Sequence, residues 1–188
     1  MRRVYEDSIN PAPWKLPRLE RQYARVDRDE QVAAFTEYIE IGDTILDVGV
    51  GGGIEVKLMR KLGINNVIDI CDYSQKSIDF VNSKPLDINN AFVCDIEKGL
   101  DKDNNSYDIV MGLEIIEHLE DPKVAIAEMI RMARKKVIIT CPYKNTFRHR
   151  QHHWSIDEND IKSFSNKPCN IKIVDIIKSQ SIVAVYHI

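Results

Sequence analysis

The sequence of 188 residues lacks several features that would assign a chain to a particular class of protein. No apolar run approaches the ~20 residues that a membrane-spanning helix needs. The first residues, MRRVYEDSIN, contain two arginines, but no apolar stretch follows them as it would in a secretory signal. No internal repeat and no low-complexity tract is visible. We therefore expect a single globular domain in the cytoplasm, with no membrane association.

Cysteine is also scarce, and its spacing excludes two further classes. The four residues Cys71, Cys94, Cys141 and Cys169 are far apart and form no Cys-x-x-Cys pair. Three of them lie in or at the ends of apolar runs, where cysteine usually packs as a small hydrophobic residue. The pattern argues against both a disulfide framework and a zinc site.

Charge is present but unevenly distributed. Seven cations and four acids give residues 1–28 a net charge of +3. The whole chain has a net charge of −3, so the remaining residues carry −6. A second basic stretch, KNTFRHRQHH at 144–153, contains three cations and three histidines. Both stretches are compatible with a solvated surface. They are equally compatible with two segments that flank one pocket and attract an anionic substrate.

The distribution of apolar residues predicts strands that alternate with helices. Residues 1–26, with three prolines, predict an irregular segment, and a helix is expected from about 28 to 40. A helix at 155–164 would open with a capping box formed by Ser155 and Glu158. Buried strands are expected at 44–49, 66–71, 91–95, 107–114 and 135–141, followed by a closing hairpin of two strands. Strands that are apolar throughout indicate a mostly parallel sheet covered by helices on both faces.

The end of the first strand carries the first candidate binding motif, LDVGVGGG. A glycine-rich turn between a strand and a helix lets a ligand approach the backbone and presents free N–H groups. Asp47 precedes the glycines Gly49, Gly51 and Gly53, whose spacing is Gly-x-Gly-x-Gly. A nearby carboxylate suits the ammonium of a methionine moiety better than a pyrophosphate. A nicotinamide-binding site and a turn without a ligand remain the alternatives.

The ends of the second and third strands add two more acids. Asp72 in CDYS lies about 20 residues beyond the glycine turn, where a carboxylate can accept hydrogen bonds from both ribose hydroxyls. Tyr73 can pack on an adenine face. Asp95 in VCDIE can accept from the adenine amino group, and Ile96 can line the plane of that ring.

These segments, together with the run YDIVMGLEIIEHLEDP, resemble the successive signatures of the class I methyltransferases over roughly residues 40–141. The resemblance implies an α/β, Rossmann-like, doubly wound seven-stranded sheet, mostly parallel with a reversed last strand. It also implies S-adenosylmethionine as cofactor, held by Gly49, Gly51 and Gly53. Asp72 would then bind the ribose, Asp95 the adenine, and Asp47 would lie near the methionine end.

The fourth strand end, GLEIIEHLEDP, is where the transferred methyl group should lie. A hydroxyl acceptor needs its proton removed or its oxygen polarised by a metal. Glu114, Glu117 and His118 cluster there. In one interpretation Glu114 contacts the cofactor, Glu117 is structural and His118 lines the pocket. Small-molecule O-methyltransferases, including those of quinone biosynthesis, have a similar Glu-x-x-Glu-His run.

A second interpretation adds the downstream run FRHRQHHWS. It partly resembles the 3′-terminal small-RNA 2′-O-methyltransferases, in which a downstream histidine completes a divalent metal site. The matching set here is Glu114, Glu117, His118 and His152, whose ligand types suit Mg²⁺ or Mn²⁺. The sequence after His152 departs from that family, so a metal-free site with His118 and His152 as the catalytic residues is favoured.

The sequence therefore predicts methyl transfer to an oxygen of a small molecule or carbohydrate, including phosphorylated ones. RNA as acceptor is the alternative, and a non-catalytic cofactor-binding subunit is a second one. Residues 1–28 are expected to fold over the active site of a domain at 29–188, with Trp14 packed and Arg21 or Arg25 near the pocket. Trp154 is expected as a core anchor for the helix at 155–164. At least one of His149, His152 and His153 is expected to cap that helix or lie in solvent, and His152 is the one expected to face the pocket.

Overall fold

The computed structural model describes residues 17–25, 28–144, 152–176 and 179–188. In these segments one seven-stranded sheet runs through the protein, with helices on both faces. The strands are β1 (Ile45–Val48), β2 (Ile68–Asp72), β3 (Asn90–Val93), β4 (Tyr107–Leu113), β5 (Ala133–Pro142), β6 (Cys169–Ile176) and β7 (Ser179–His187). The helices are α1 (Arg18–Tyr23), α2 (Asp29–Thr36), α3 (Ile54–Lys61), α4 (Gln75–Asn82), α5 (Pro122–Met132) and α6 (Glu158–Phe164).

The strand order β3-β2-β1-β4-β5-β7-β6 confirms the predicted doubly wound sheet. Strands β1 to β5 pair in parallel, whereas β7 is antiparallel to both β5 and β6. The last strand is therefore the reversed one, as the resemblance implied. Because the order of strands reverses beside β1, the carboxyl ends of β1 and β4 border the crevice where ligands bind in such sheets.

The two faces of the sheet bury separate hydrophobic clusters. Val32 and Phe35 of α2, with residues of α3 and α4, cover one face, and α5 with Ile161 of α6 covers the other. Helix α5 begins at Pro122, whose missing N–H costs nothing in a first turn, and the Asp121 side chain caps it by accepting from the Lys123 N–H. Among the helices of the described segments, none has the length and apolar character needed to cross a bilayer.

The structure corrects the expected start of the last helix. Its capping box is formed by Asp157 and Asp160, not by Ser155 and Glu158. The chain before it is extended, since Ile156 forms a bridge with Tyr143 and is fully buried. Ile156 is therefore the core anchor, and the expectation that Trp154 plays this part is wrong, because Trp154 is 42% exposed.

The amino-terminal part also differs from the expected pattern. Residues 18–23 form a helix where the prolines predicted an irregular segment, because Pro17 precedes the first turn, a position that proline tolerates. The helix expected from 28 to 40 ends at Thr36. Trp14 lies outside the described residues. All four cysteines are free thiols, and Cys71 and Cys141 are buried in the hydrophobic core.

Matched leucine substitutions test how strongly the buried sheet determines stability. Leu46 in β1 is fully buried, whereas Leu62 at the end of α3 is 50% exposed. Leu46→Ala should lower the free energy of unfolding by about 2–5 kcal/mol because it leaves a cavity in a packed core. Leu62→Ala should change it by less than about 0.5 kcal/mol. Urea denaturation measures both values, and equal losses would contradict the assigned core.

Candidate active site

The glycine-rich turn between β1 and α3 forms the centre of the candidate site. Gly49, Gly51 and Gly53 all have positive φ angles, of 82°, 52° and 72°. Gly49 and Val50 donate their N–H groups to the Cys71 carbonyl at the end of β2, at 2.8 and 3.2 Å. These bonds hold the turn against the neighbouring strand, so the strand end and the turn form one surface.

Asp72 ties the same turn to β2 through its side chain. One carboxylate oxygen accepts the Gly51 N–H at 2.8 Å, and the other accepts the Ser74 N–H at 2.8 Å. Burial raises the pKa of Asp72, and these two hydrogen bonds partly offset the increase. The predicted ribose-binding acid is therefore fixed in orientation, beside the middle glycine of the motif. Asp69 points elsewhere, accepting from the Tyr107 hydroxyl and the Asn89 amide.

The residues predicted to bind adenine lie at the adjacent strand end. The Cys94 N–H donates to the Asp72 carbonyl, which places Asp95 immediately beside the end of β2. Asp95 also accepts from the Glu97 N–H at 3.3 Å and lies 3.3 Å from the Lys98 ammonium. Tyr73 is 49% exposed, whereas Ile96 is buried in the core cluster below. The described structure thus leaves the Tyr73 ring accessible to a ligand.

Helix α1 packs directly against the turn. A Cβ atom added to Gly52 would lie 2.7 Å from the Gln22 Cβ and 2.8 Å from the Leu19 carbonyl oxygen. Only glycine permits this approach, because real Cβ contacts are essentially never so short. Two lysines hold the helix in place. Lys57 donates to the Tyr23 carbonyl at 2.8 Å, and Lys84 pairs with Glu20 at 2.9 Å.

A buried polar network holds Glu114, the first acid after β4. Arg28 pairs with one of its carboxylate oxygens at 2.9 Å, and Gln31 donates to the other at 2.7 Å. Ser181 of β7 adds a third bond, at 3.2 Å. Burial alone would raise the pKa of Glu114, but the Arg28 charge and these hydrogen bonds hold it below the usual value. The backbone of Glu114 has a φ of 56°, in the left-handed region that non-glycine residues rarely adopt.

The remaining three residues of the predicted metal set lie together. One ligand atom from each of Glu117, His118 and His152 falls within 4.8 Å of the others. The two imidazole rings are 4.7 Å apart and nearly perpendicular. The His153 N–H donates to the Glu117 carbonyl at 2.8 Å, which brings the 152–154 segment to the end of β4. Glu114 is not a member of this cluster, since its two oxygens face Arg28, Gln31 and Ser181.

Buried carboxyl groups dominate the electrostatics of the site. Burial, and then the charges of Glu55 and Asp72, raise the pKa of Asp47 well above its usual value. Burial raises the pKa of Glu55, with Arg28 opposing. Burial and the neighbouring Glu114 charge raise the pKa of Glu117 well above the usual value, and one of its oxygens is buried without a hydrogen-bond partner among the residues that the structure describes. This environment favours a ligand that carries positive charge.

Known proteins identify the family to which this arrangement belongs. Residues 46–141, just over half of the chain, match a family described as a methyltransferase domain. The chain belongs to this family. It contains a methyltransferase domain, and the glycine turn and the acids at the strand ends fall inside the matched region.

The methyltransferase is similar to curated relatives over part of their length. It is 34% identical over 107 residues to a ubiquinone biosynthesis O-methyltransferase of Caulobacter vibrioides, covering 55% of this chain and 40% of that one. A protein of the same name from Coxiella burnetii is 31% identical over 84 residues, covering 44% and 35%. The chain thus spans about two fifths or less of the length of these relatives.

Solved structures show the same fold at low sequence identity. A methyltransferase from Archaeoglobus fulgidus has a TM-score of 0.71 at 14% identity, covering 90% of this chain and 97% of that one. The magnesium protoporphyrin IX methyltransferase of Synechocystis, solved with S-adenosylhomocysteine, has a TM-score of 0.70 at 15% identity, covering 92% and 88%.

Several residues of the site were not expected from the sequence. Arg28, Gln31 and Ser181 come from outside the family match, and Gln22 and Glu55 carry no motif of their own. The sequence offered one signal for such a residue: Gln31 is polar but lies on the face of a predicted helix that is expected to pack against the core. The cations of residues 145–151 lie outside the described residues, and so the predicted attraction of an anionic substrate stays a prediction.

Substitution of Asp72 tests the ribose-binding prediction. Asp72→Ala should weaken S-adenosylhomocysteine binding by roughly 1–3 kcal/mol. The Gly51 N–H of the turn and the ribose hydroxyls of the ligand would both lose their acceptor. Calorimetric titration of the free protein measures the change. Asp79→Ala, an exposed acid on α4, is the control and should bind normally. Equal affinities for the two variants would contradict the role given to Asp72.

The raised pKa of Asp47 gives a pH-dependent stability. Its carboxyl keeps a proton to higher pH in the folded state than in the unfolded chain, so this group favours folding at low pH. That contribution is lost as the pH rises above about 4, the usual range for an aspartate. Asp47→Asn should therefore stabilise the free protein increasingly from pH 4 to pH 8. Urea denaturation across this range tests the slope, with exposed Asp175→Asn as control, and a gain that shrinks with rising pH would refute it.

Proposed function

We propose that this methyltransferase transfers a methyl group to a hydroxyl oxygen of a small molecule. The observation that carries the proposal is the cluster of Glu117, His118 and His152 at the end of β4, beside the network that holds Glu114. Oxygen acceptors need a group that removes or stabilises the hydroxyl proton, and imidazole is the side chain most often used for this. The curated relatives, which are named O-methyltransferases, support the same acceptor atom.

The cofactor supplies an activated methyl group, and the chain supplies alignment and proton transfer. The glycine turn with Asp47 would hold the methionine moiety, Asp72 the ribose, and Tyr73 with Asp95 the adenine. Methyl transfer is an in-line displacement, so holding the two reactants in line lowers the barrier. A neutral His118 or His152 would accept the hydroxyl proton. A carboxylate at Glu117, whose Oε1 lies 3.7 Å from the His118 Nε2, would stabilise the resulting imidazolium.

A divalent cation at the same cluster is the second candidate. One carboxylate and two imidazoles converge, and the buried Glu117 oxygen, which has no partner in the described segments, is a group that a cation would satisfy. These ligand types suit Mn²⁺, or Mg²⁺ with added water. The proposed set then has three protein ligands, since Glu114 is engaged by Arg28 and Gln31. A metal here would polarise the hydroxyl oxygen of the acceptor.

Small acceptors are favoured over RNA. The relatives matched in sequence are named for ubiquinone biosynthesis, a small-molecule product. The accessible Trp154, whose indole N–H donates to the Leu119 carbonyl at 3.0 Å, lies at the same end of the sheet and offers a flat apolar surface to an acceptor. Phenols and sugars are therefore the acceptors to test first.

Two neighbouring histidines provide a matched test of the mechanism. His152 lies in the cluster, whereas the His153 side chain is exposed. His152→Ala should lower the turnover number by about 100-fold or more if its imidazole transfers the proton, and His153→Ala should have little effect. A chelator should leave the wild-type rate unchanged. Release of S-adenosylhomocysteine with a panel of phenols, sugars and short RNAs measures the rates.

Other outcomes of this experiment separate the alternatives. Chelator-sensitive activity restored by Mn²⁺ or Mg²⁺ would establish the metal candidate in place of the metal-free one. Methylation of a terminal ribose of RNA, with no small acceptor used, would contradict the proposed substrate class. Equal rates for His152→Ala and wild type would remove this cluster from the mechanism.

A further inference from the structure

Helix α1 places one side chain, Gln22, at the glycine turn with an oxygen that finds no partner among the described residues. The Gln22 carboxamide lies over Gly51, with its oxygen 3.4 Å from the position that a Cβ would take on that glycine. This oxygen is shielded from solvent and has no hydrogen-bond partner in the described structure. An unpaired buried carbonyl destabilises a folded protein, and buried polar atoms are usually paired. The Gln22 oxygen therefore contributes nothing to the stability of the free protein.

The position of this oxygen is well defined. The α1 backbone lies against Gly52, and the contacts of Lys57 with Tyr23 and of Lys84 with Glu20 fasten the helix. Gly51 below the carboxamide donates its N–H to Asp72, so Gln22 and the predicted ribose acid share one glycine. Gln22 thus faces the middle of the motif and not its adenine end, where Tyr73 and Asp95 lie.

Arg18 adds an independent observation on the same face of the helix. Residues four apart on a helix lie one above the other, so Arg18 and Gln22 form one surface. The Arg18 charge lowers the pKa of Asp72, in keeping with a place for this surface near the second strand end. A guanidinium and a carboxamide side by side present a cation and an acceptor, which complement the carboxylate and the ammonium of an amino acid.

We propose that Gln22 is a cofactor-binding residue whose carboxamide oxygen accepts a hydrogen bond from the α-ammonium of S-adenosylmethionine. Asp72 is engaged with the ribose hydroxyls, so the ammonium is the donor left for Gln22 at this part of the turn. Arg18 on the same face then lies near the cofactor carboxylate. Helix α1, outside the matched family region, is in this way part of the cofactor site. The proposal rests on the family assignment and is independent of the acceptor.

Gln22→Leu tests the proposal because binding and stability should respond in opposite directions. Removing an unpaired buried oxygen should leave the melting temperature of the free protein unchanged or raise it. The same variant should bind S-adenosylhomocysteine about three- to tenfold more weakly, the loss expected for one hydrogen bond. Its affinity for methylthioadenosine, which has no amino-acid end, should not change. Calorimetry with the two ligands and thermal denaturation measure the three values.

Two further variants complete the test. Gln22→Glu keeps an acceptor oxygen and should keep the affinity for S-adenosylhomocysteine. Gln180→Leu makes the same change as Gln22→Leu at an exposed position of β7 and should bind both ligands normally. Unchanged S-adenosylhomocysteine affinity in Gln22→Leu would overturn the proposal. Equal weakening of both ligands, or a lower melting temperature in the free protein, would show that Gln22 only supports the turn.

Discussion

The burial of negative charge at one edge of the sheet is the constraint on which the rest of the site depends. Asp47, Glu55 and Glu117 are buried there and Glu114 is partly buried, and the buried guanidinium of Arg28 acts on the three glutamates. Isolated carboxylates are costly to remove from water, so such a group binds a proton or a cation. The methyl donor carries positive charge on its sulfonium and its ammonium. An acidic pocket is therefore suited to it.

The glycine turn has two structural partners as well as its expected ligand. Gly51 gives its N–H to Asp72, and Gly52 admits the backbone of α1. The same lack of side chains that lets a cofactor approach thus lets the amino-terminal helix close on the turn. Strand ends, turn and helix are coupled through a few atoms, so a change in the turn would alter the helix contact as well.

In the function proposed above, the site divides into a cofactor half and an acceptor half with different origins in the sequence. The cofactor half comes from short local motifs at the ends of β1, β2 and β3. The acceptor half combines the end of β4 with His152 and Trp154, which are 34 or more residues further on. Glu117 joins the two parts of the acceptor half, because the Glu114 charge acts on its carboxyl and its carbonyl accepts the His153 N–H.

The sequence alone was sufficient to predict the sheet, its reversed last strand and the order of the motifs. These depend on local periodicity and on rules that join consecutive strands, which short segments carry within themselves. It also placed His118 and His152 in one site through a family resemblance. Its errors include Trp154, the capping box and the helix at 18–23, because which of several nearby apolar or capping residues is buried depends on contacts such as the bridge between Ile156 and Tyr143.

Tertiary structure decided the rest. Glu114 was grouped with Glu117, His118 and His152 because their spacing matched, yet Arg28, Gln31 and Ser181 hold it apart from them. Gln31 is 83 residues from Glu114 along the chain and Ser181 is 67 residues away, so no local sequence pattern relates them to Glu114. The unpaired oxygen of Gln22 is likewise defined only by packing. Contacts between distant segments depend on how the helices pack on the two faces of the sheet. A short sequence motif does not encode that packing.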